Sequence, residues 1–238
     1  MNVCQFQMHP KQLADLLANA VDIGRDNPKI SVNSLVMLSV TGAYLYAYGR
    51  GRYTAGRDWR QLKTDGPLNG QITLTEAEAE ELASALRGVE GAGRVGTVVD
   101  VSLGDRGRLL VHSGPEILCD LPDADPGNLT FGNPDEISDW EEIESLISEC
   151  EQEAHMAAPQ AFTLEILTRL NKIRAKTNVA DIVSHPSGKF VGVALGPSFR
   201  GLAAGIDREV YGDGGGWGEG PGTPGDLWGY LTSQEPEF

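Results

Sequence analysis

The chain has 238 residues, 40% of them hydrophobic and 22% charged, with a formal net charge of −15. That length buries a sizeable core in one large domain or two modest ones, and no apolar run approaches the roughly 18 residues needed to cross a membrane. "MNVCQFQMHP" lacks a basic segment followed by an apolar one, so no secretory signal is read there. The three scattered cysteines, Cys4, Cys119 and Cys150, fit reduced, buried thiols in a cytoplasmic protein better than a disulfide framework.

"NVCQFQM" alternates and predicts a strand. "HPKQLADLLANAVDIGRD" follows with Pro10 in its first turn and Leu13, Leu16, Leu17, Ala20 and Val21 on one stripe, which predicts a helix stopped near Gly24. "SVNSLVMLSVTG" and "AYLYAYGRGRYTAG" are β-branched and aromatic, and predict two or more strands. The order then repeats. "GQITLT" reads as a strand, and Thr75 with Glu78 makes a capping box. The helix "TEAEAEELASALRGV" turns Ala79, Leu82, Leu86 and Val89 inward, and "TVVDVSLGD", "RLLVHSG" and "EILCDLP" are strands. The stretch "PDADPGNLTFGNPDE" reads as a connector. "SDWEEIESLISECEQEA" reads as a helix burying Trp140, Ile143, Leu146, Ile147 and Cys150. A third copy of the order is the helix "FTLEILTRLNKIRAKT", a hairpin turning at Pro186 to Gly188, and a strand in "FRGLAAGIDREV". The final "GDGGGWGEGPGTPGDLWGYLTSQEPEF" has nine glycines and three prolines and predicts a flexible tail, with Trp217, Trp228, Tyr230 and Leu231 as its apolar exceptions.

The predicted fold class is α+β: repeated β-α-β-β(-β) units with helices on one face of antiparallel sheets. Residues 1–126 form a first domain of two units, 1–66 and 67–126. Residues 127–158 form an acidic connector and helix, 159–211 a further unit, and 212–238 the tail.

Charge is distributed unevenly. Between Arg108 and Arg169 there are 14 acids and no Lys or Arg, and after Arg208 six acids and no base. These stretches hold 20 of the 34 acids, leaving 14 acids against 19 bases elsewhere, a balance of +5. Nucleic acid is therefore not excluded by the net charge.

Few patterns suggest catalysis. "GAGRVG" at 91–96 has the form of a dinucleotide fingerprint but follows a helix and opens a strand, so it reads as a turn. His9, His112, His155 and His185 lie far apart, outside any metal motif, and read as surface or capping residues. No cofactor and no enzymatic activity are expected. The basic helix is the strongest signal. Leu164, Leu167, Leu170, Asn171 and Ile173 define its buried side, and Arg169, Lys172 and Lys176 a solvent face suited to phosphates.

On this repeated order the chain resembles the DNA sliding clamps, ring-shaped polymerase processivity factors. "FTLEILTRLNKIRAKTNVADIVSHPSGKFVGVALG" looks like a clamp half-domain, "MHPKQLADLLANAVDIGRDNPKISVNSLVMLSVTGAYLYAYGRG" like the opening unit, and "ITLTEAEAEELASALRGV" like the helix of its pair. "ISDWEEIESLI" is similar to the short segment that precedes a unit in such proteins. The likeness spans roughly residues 1 to 210.

The resemblance implies a homo-oligomeric ring, trimer rather than dimer, that encircles duplex DNA through backbone contacts independent of sequence. It implies a DNA polymerase and a clamp loader as partners, and a cytoplasmic, bacteriophage-type protein. Carried over by position, Lys11, Arg25, Arg169, Lys172, Arg174 and Lys176 are its DNA-contacting candidates. The acidic second helix, with Glu76, Glu78, Glu80 and Glu81, departs from the pattern. Two other classes stand beside this one: an acidic protein-binding module or DNA mimic that forms no ring, and an α+β enzyme.

Overall fold

The computed structural model describes residues 4–25, 35–51, 54–94, 96–104, 107–124, 140–152, 155–156, 164–174, 180–185 and 190–204. The turn at 186–188, Lys176, the connector at 127–139 and the tail at 212–238 with its aromatic residues lie outside them.

Three units of one order are present. The first is β1 (Cys4–Met8), α1 (Pro10–Gly24), β2 (Leu35–Gly42), β3 (Tyr44–Arg50) and β4 (Thr54–Gln61). The second is β5 (Leu68–Thr75), α2 (Glu76–Gly88), β6 (Val99–Gly104), β7 (Arg108–Ser113) and β8 (Glu116–Pro122). Helix α3 (Trp140–Gln152) precedes the third: β9 (His155–Met156), α4 (Leu164–Lys172), β10 (Ala180–Ser184), β11 (Phe190–Leu195) and β12 (Phe199–Ala204).

Local chemistry sets the helix starts. His9 caps α1 by accepting the Lys11 backbone N–H on Nδ1, with Pro10 as the first helical residue. Thr75 and Glu78 form both halves of the predicted capping box on α2. The "GAGRVG" segment is the predicted link from α2 to β6, with Gly91 at φ 77° and Gly96 at φ 94°, a region open to glycine.

The strands form two antiparallel sheets, β1-β6-β7-β8 and β5-β2-β3-β4-β12-β11-β10-β9. The first two units exchange leading strands: β1 pairs with β6 of the second unit, and β5 with β2 of the first. One core results, with Leu13, Leu16 and Leu17 of α1, Leu82 and Leu86 of α2, and inward strand residues such as Leu38, Leu45, Val99 and Leu109. Helix α1 lies so close to β3 that a Cβ on Gly49 would sit 1.8 Å from the Ala20 carbonyl oxygen. The large sheet then runs from the first unit into the third, where Ala55 of β4 faces Leu202 of β12.

Strand alternation splits the large sheet into two faces. Val36, Leu38, Leu45 and Ala47 face α1, whereas Met37, Tyr48, Ala55 and Leu202 face α3. Helix α3 buries Ile143, Ile147 and Cys150, with Trp140 and Leu146 partly covered, as its periodicity predicts. His185 differs from its expectation: it is 5% exposed, with Nε2 3.0 Å from Glu149 Oε2, because β10 ends beneath the last turns of α3.

Candidate nucleic-acid interface

Helices α1, α2 and α4 lie side by side, α1 in the middle. The cationic side chains on this side belong mostly to ion pairs. Lys11 Nζ lies 2.7 Å from Asp15. Arg25 pairs with Glu76 at 2.7 Å and also with Glu80, so two acids of the unexpectedly acidic α2 hold the end of α1. Arg174 reaches Asp22 at 3.2 Å and Asp15 at 3.9 Å. Among the described residues, Lys172 and Arg87 are exposed with no ion pair.

Helix α4 is rotated from its predicted setting. Ile166 and Ile173 are buried and Leu170 partly so, while Leu167 is 48% exposed and Asn171 is exposed. Arg169, predicted to face solvent, is 6% exposed, and its Nη1 donates to Thr54 Oγ1 at 2.8 Å. The reason is the position of α4 between two neighbours. Its own sheet takes Ile166 and Ile173, and the first unit takes the flank that carries Arg169. A guanidinium leaves water only where donors find acceptors.

Next to this contact lies a second polar bridge. Asp58 is 1% exposed and accepts from Asn19 Nδ2 at 2.8 Å, Arg60 Nη1 at 2.7 Å and the Trp59 N–H at 2.9 Å. Asn19 Oδ1 accepts the Arg174 backbone N–H at 2.7 Å, and Arg60 donates to Ser198 Oγ at 3.0 Å. First and third units are thus joined by a polar network as well as by a continuous sheet. The sequence carries no signal for Asn19 or Asp58, which lie 39 residues apart on a helix and a strand.

The helix-bearing side is not strongly basic. Residues 10–25, 76–88 and 164–174 together carry seven acids and six bases. Exposed ion pairs are worth about 0–1 kcal/mol each, so phosphates can compete for Lys11, Arg25 and Arg174. Arg169 is committed to the unit joint. The thiols are poor nucleophiles: burial pushes Cys119 up to about 11 and raises Cys4 and Cys150. No described helix is long and apolar enough to cross a membrane.

No family model matches the sequence, and no curated protein matches it. Solved structures do match. The Bartonella birtlesii sliding clamp, DNA polymerase III subunit beta, superposes with a TM-score of 0.58 at 12% identity, covering 87% of this chain and 66% of that one. The Caulobacter crescentus beta sliding clamp gives 0.55 at 16% identity, with 87% and 66% covered. The Thermotoga maritima DNA polymerase III beta subunit gives 0.55 at 10% identity, with 87% and 65% covered. The chain spans 65–66% of the length of these proteins. Its α+β architecture of repeated β-α-β-β-β units is the fold of the DNA polymerase III beta sliding clamps.

Proposed function

We propose that the chain is a sliding-clamp-like processivity factor without enzymatic activity: a homo-oligomeric ring that encircles duplex DNA in the cytoplasm and tethers a DNA polymerase. The observation that carries this reading is the long sheet, continuous across units, with α1, α2 and α4 gathered on one side. A wall of that form presents helices to a duplex and sheet to the outside. Lys172 and Arg87 are the foremost phosphate contacts, with the ion-paired Lys11, Arg25 and Arg174 next, and Lys176, outside the described residues, kept as a candidate. Retention by topology needs few such contacts. The described residues hold three units rather than the four of two complete domains, so copy number depends on how the third is completed.

Retention on nicked circular DNA tests the proposal. The protein should stay on circles, slide off once the DNA is linearised, and leave circles faster when Lys172 and Arg87 become Glu. Each lost phosphate contact should flatten the salt dependence of residual binding by about one unit of log–log slope. Equal loss from circles and linear DNA would sink the ring. The acidic segment 116–153, which holds no Lys or Arg, and the acidic tail, which holds none after Arg208, favour a second reading, an acidic protein-binding module without a ring. That reading predicts no retention on either DNA.

A further inference from the structure

Helix α3 covers the sheet of the third unit unevenly. On β11, Val191 and Val193 face the core under α4, so strand alternation turns Gly192 and Ala194 toward α3. At Gly192 the helix comes down onto the strand: a Cβ there would lie 2.8 Å from Cys150 Cβ. One row along, Ala194 offers a single methyl, and a cavity of about 150 Å³ opens over it. Ile147 and Cys150 of α3 and Val183 of β10 wall this cavity, and its lining is almost wholly apolar.

Register fixes the charge around it. Ala194 stands between Asp181 on β10 and Arg200 on β12, its two cross-strand partners. Adjacent strands lie about 4.8 Å apart, so these two residues flank the cavity with their backbones about 10 Å from each other. Their charges are not equivalent. Arg200 Nε lies 2.8 Å from Glu151 Oε1, and its Nη1 donates to the carbonyl oxygens of Gly196 and Phe199. Asp181 is exposed, and its carboxylate forms no ion pair with any described residue. The last turn of α3, which brings Cys150 to the wall, has no basic residue, so no side chain of the helix offsets the negative end of its dipole.

We propose that this cavity is a docking site for a protein partner that inserts one apolar side chain of leucine or phenylalanine size and sets a lysine or arginine beside Asp181. Size and charge each select that occupant. An apolar cavity of about 150 Å³ accepts a benzene ring. The free carboxylate and the helix end attract a cation and reject an acid at the same place. The chain's own aromatic tail has the wrong charge, with six acids and no base after Arg208. The cavity lies on the face of the sheet opposite α1 and α4, so the inference rests on α3 and the third unit, independently of any DNA.

Methyl NMR on the full chain tests it, with Ile147 and Val183 as reporters and acetyl-Ala-Phe-Arg-Ala-amide as the probe. The basic peptide should shift both sets of methyls saturably, and its Phe-Glu counterpart should bind about 10-fold more weakly. Asp181→Lys, at an exposed position, should reverse that order and leave Tm unchanged. Ala194→Leu should fill the cavity and abolish binding of the basic peptide, with the far-UV circular dichroism unchanged. The absence of any shift at millimolar peptide would overturn the inference, as would equal binding of the two peptides or an order indifferent to Asp181→Lys. A synthetic peptide of residues 212–238 that shifts the same methyls more strongly would assign the cavity to the chain's own tail, and that too would overturn it.

Discussion

Two helices lie across the same eight-stranded sheet, α4 on one face and α3 on the other, and the polar groups around their apolar contacts differ. The α4 side packs Ile166 and Ile173 over Val191, Val193 and Phe199 and adds a joint of buried polar groups, Asp58 at 1% exposure and Arg169 at 6%, each satisfied by specific partners. The α3 side has an apolar centre of Ile143, Ile147 and Cys150 over Tyr48, Ala55 and Leu202, rimmed by acids that meet arginines. Arg57 lies 2.8 Å from Glu144 and 3.5 Å from Glu151, and Arg200 lies 2.8 Å from Glu151. The same kinds of ion therefore do different work. Buried, they penalise any broken partnership; at a wet rim, they orient a helix that apolar contact already holds.

Asp58→Ala gives the largest expected effect. It strands Asn19 Nδ2, removes the carboxylate partner of Arg60, which keeps Ser198 and the Trp59 carbonyl, and loosens the Asn19 amide that receives Arg174. Removing one member of a buried charged network costs about 3–5 kcal/mol, measurable as a lower urea midpoint. A loss below about 1 kcal/mol would mean that water reaches the joint, and the contrast between faces would fail.

Trp140→Ala comes next. The indole packs at 6.1 Å from the Tyr48 ring, with the Arg50 guanidinium 5.4 Å from its centroid. Complete truncation of a buried tryptophan costs about 3–5 kcal/mol, and Trp140 is only partly buried, so about 2 kcal/mol is expected. Hydrogen exchange should localise the loss to α3 and leave α4 protected. Equal loosening of both helices would show that the two faces do not act separately.

Helices α2 and α3 were legible in the sequence because each meets one apolar surface, and α1 because its stripe of Leu13, Leu16, Leu17, Ala20 and Val21 stands out although its other sides are buried too. The Thr75–Glu78 capping box was legible because it is local. Helix α4 was not. Its buried arc includes Arg169, and nothing in "LTRLNK" marks which flank meets another unit. Leu167 fits an apolar stripe yet stands 48% exposed among the described residues. The two-residue β9 is too short to leave a pattern, and the Asn19–Asp58 bridge leaves none, because it depends on a helix crossing a strand. The candidate DNA residues were legible as types. Their pairing with Asp15, Asp22, Glu76 and Glu80 needed the fold.

The smallest effect is expected where the ions are most conspicuous. Arg57 and Glu144 touch through one nitrogen and one oxygen, and among the described residues Arg57 Nε and Glu144 Oε2 are buried without partners. Burial, and after it the nearby Glu144 carboxylate, push the Tyr48 phenol well above its ordinary range, with Arg57 opposing them. Such a pair falls short of a bidentate clamp, and the Glu144 side chain is 38% exposed, so water screens what attraction there is. A double-mutant cycle of Arg57→Ala and Glu144→Ala should give a coupling of about 0–1 kcal/mol, falling further in salt. A coupling above about 2 kcal/mol would place this rim beside the Asp58 network, and the two faces would then be held by one kind of chemistry.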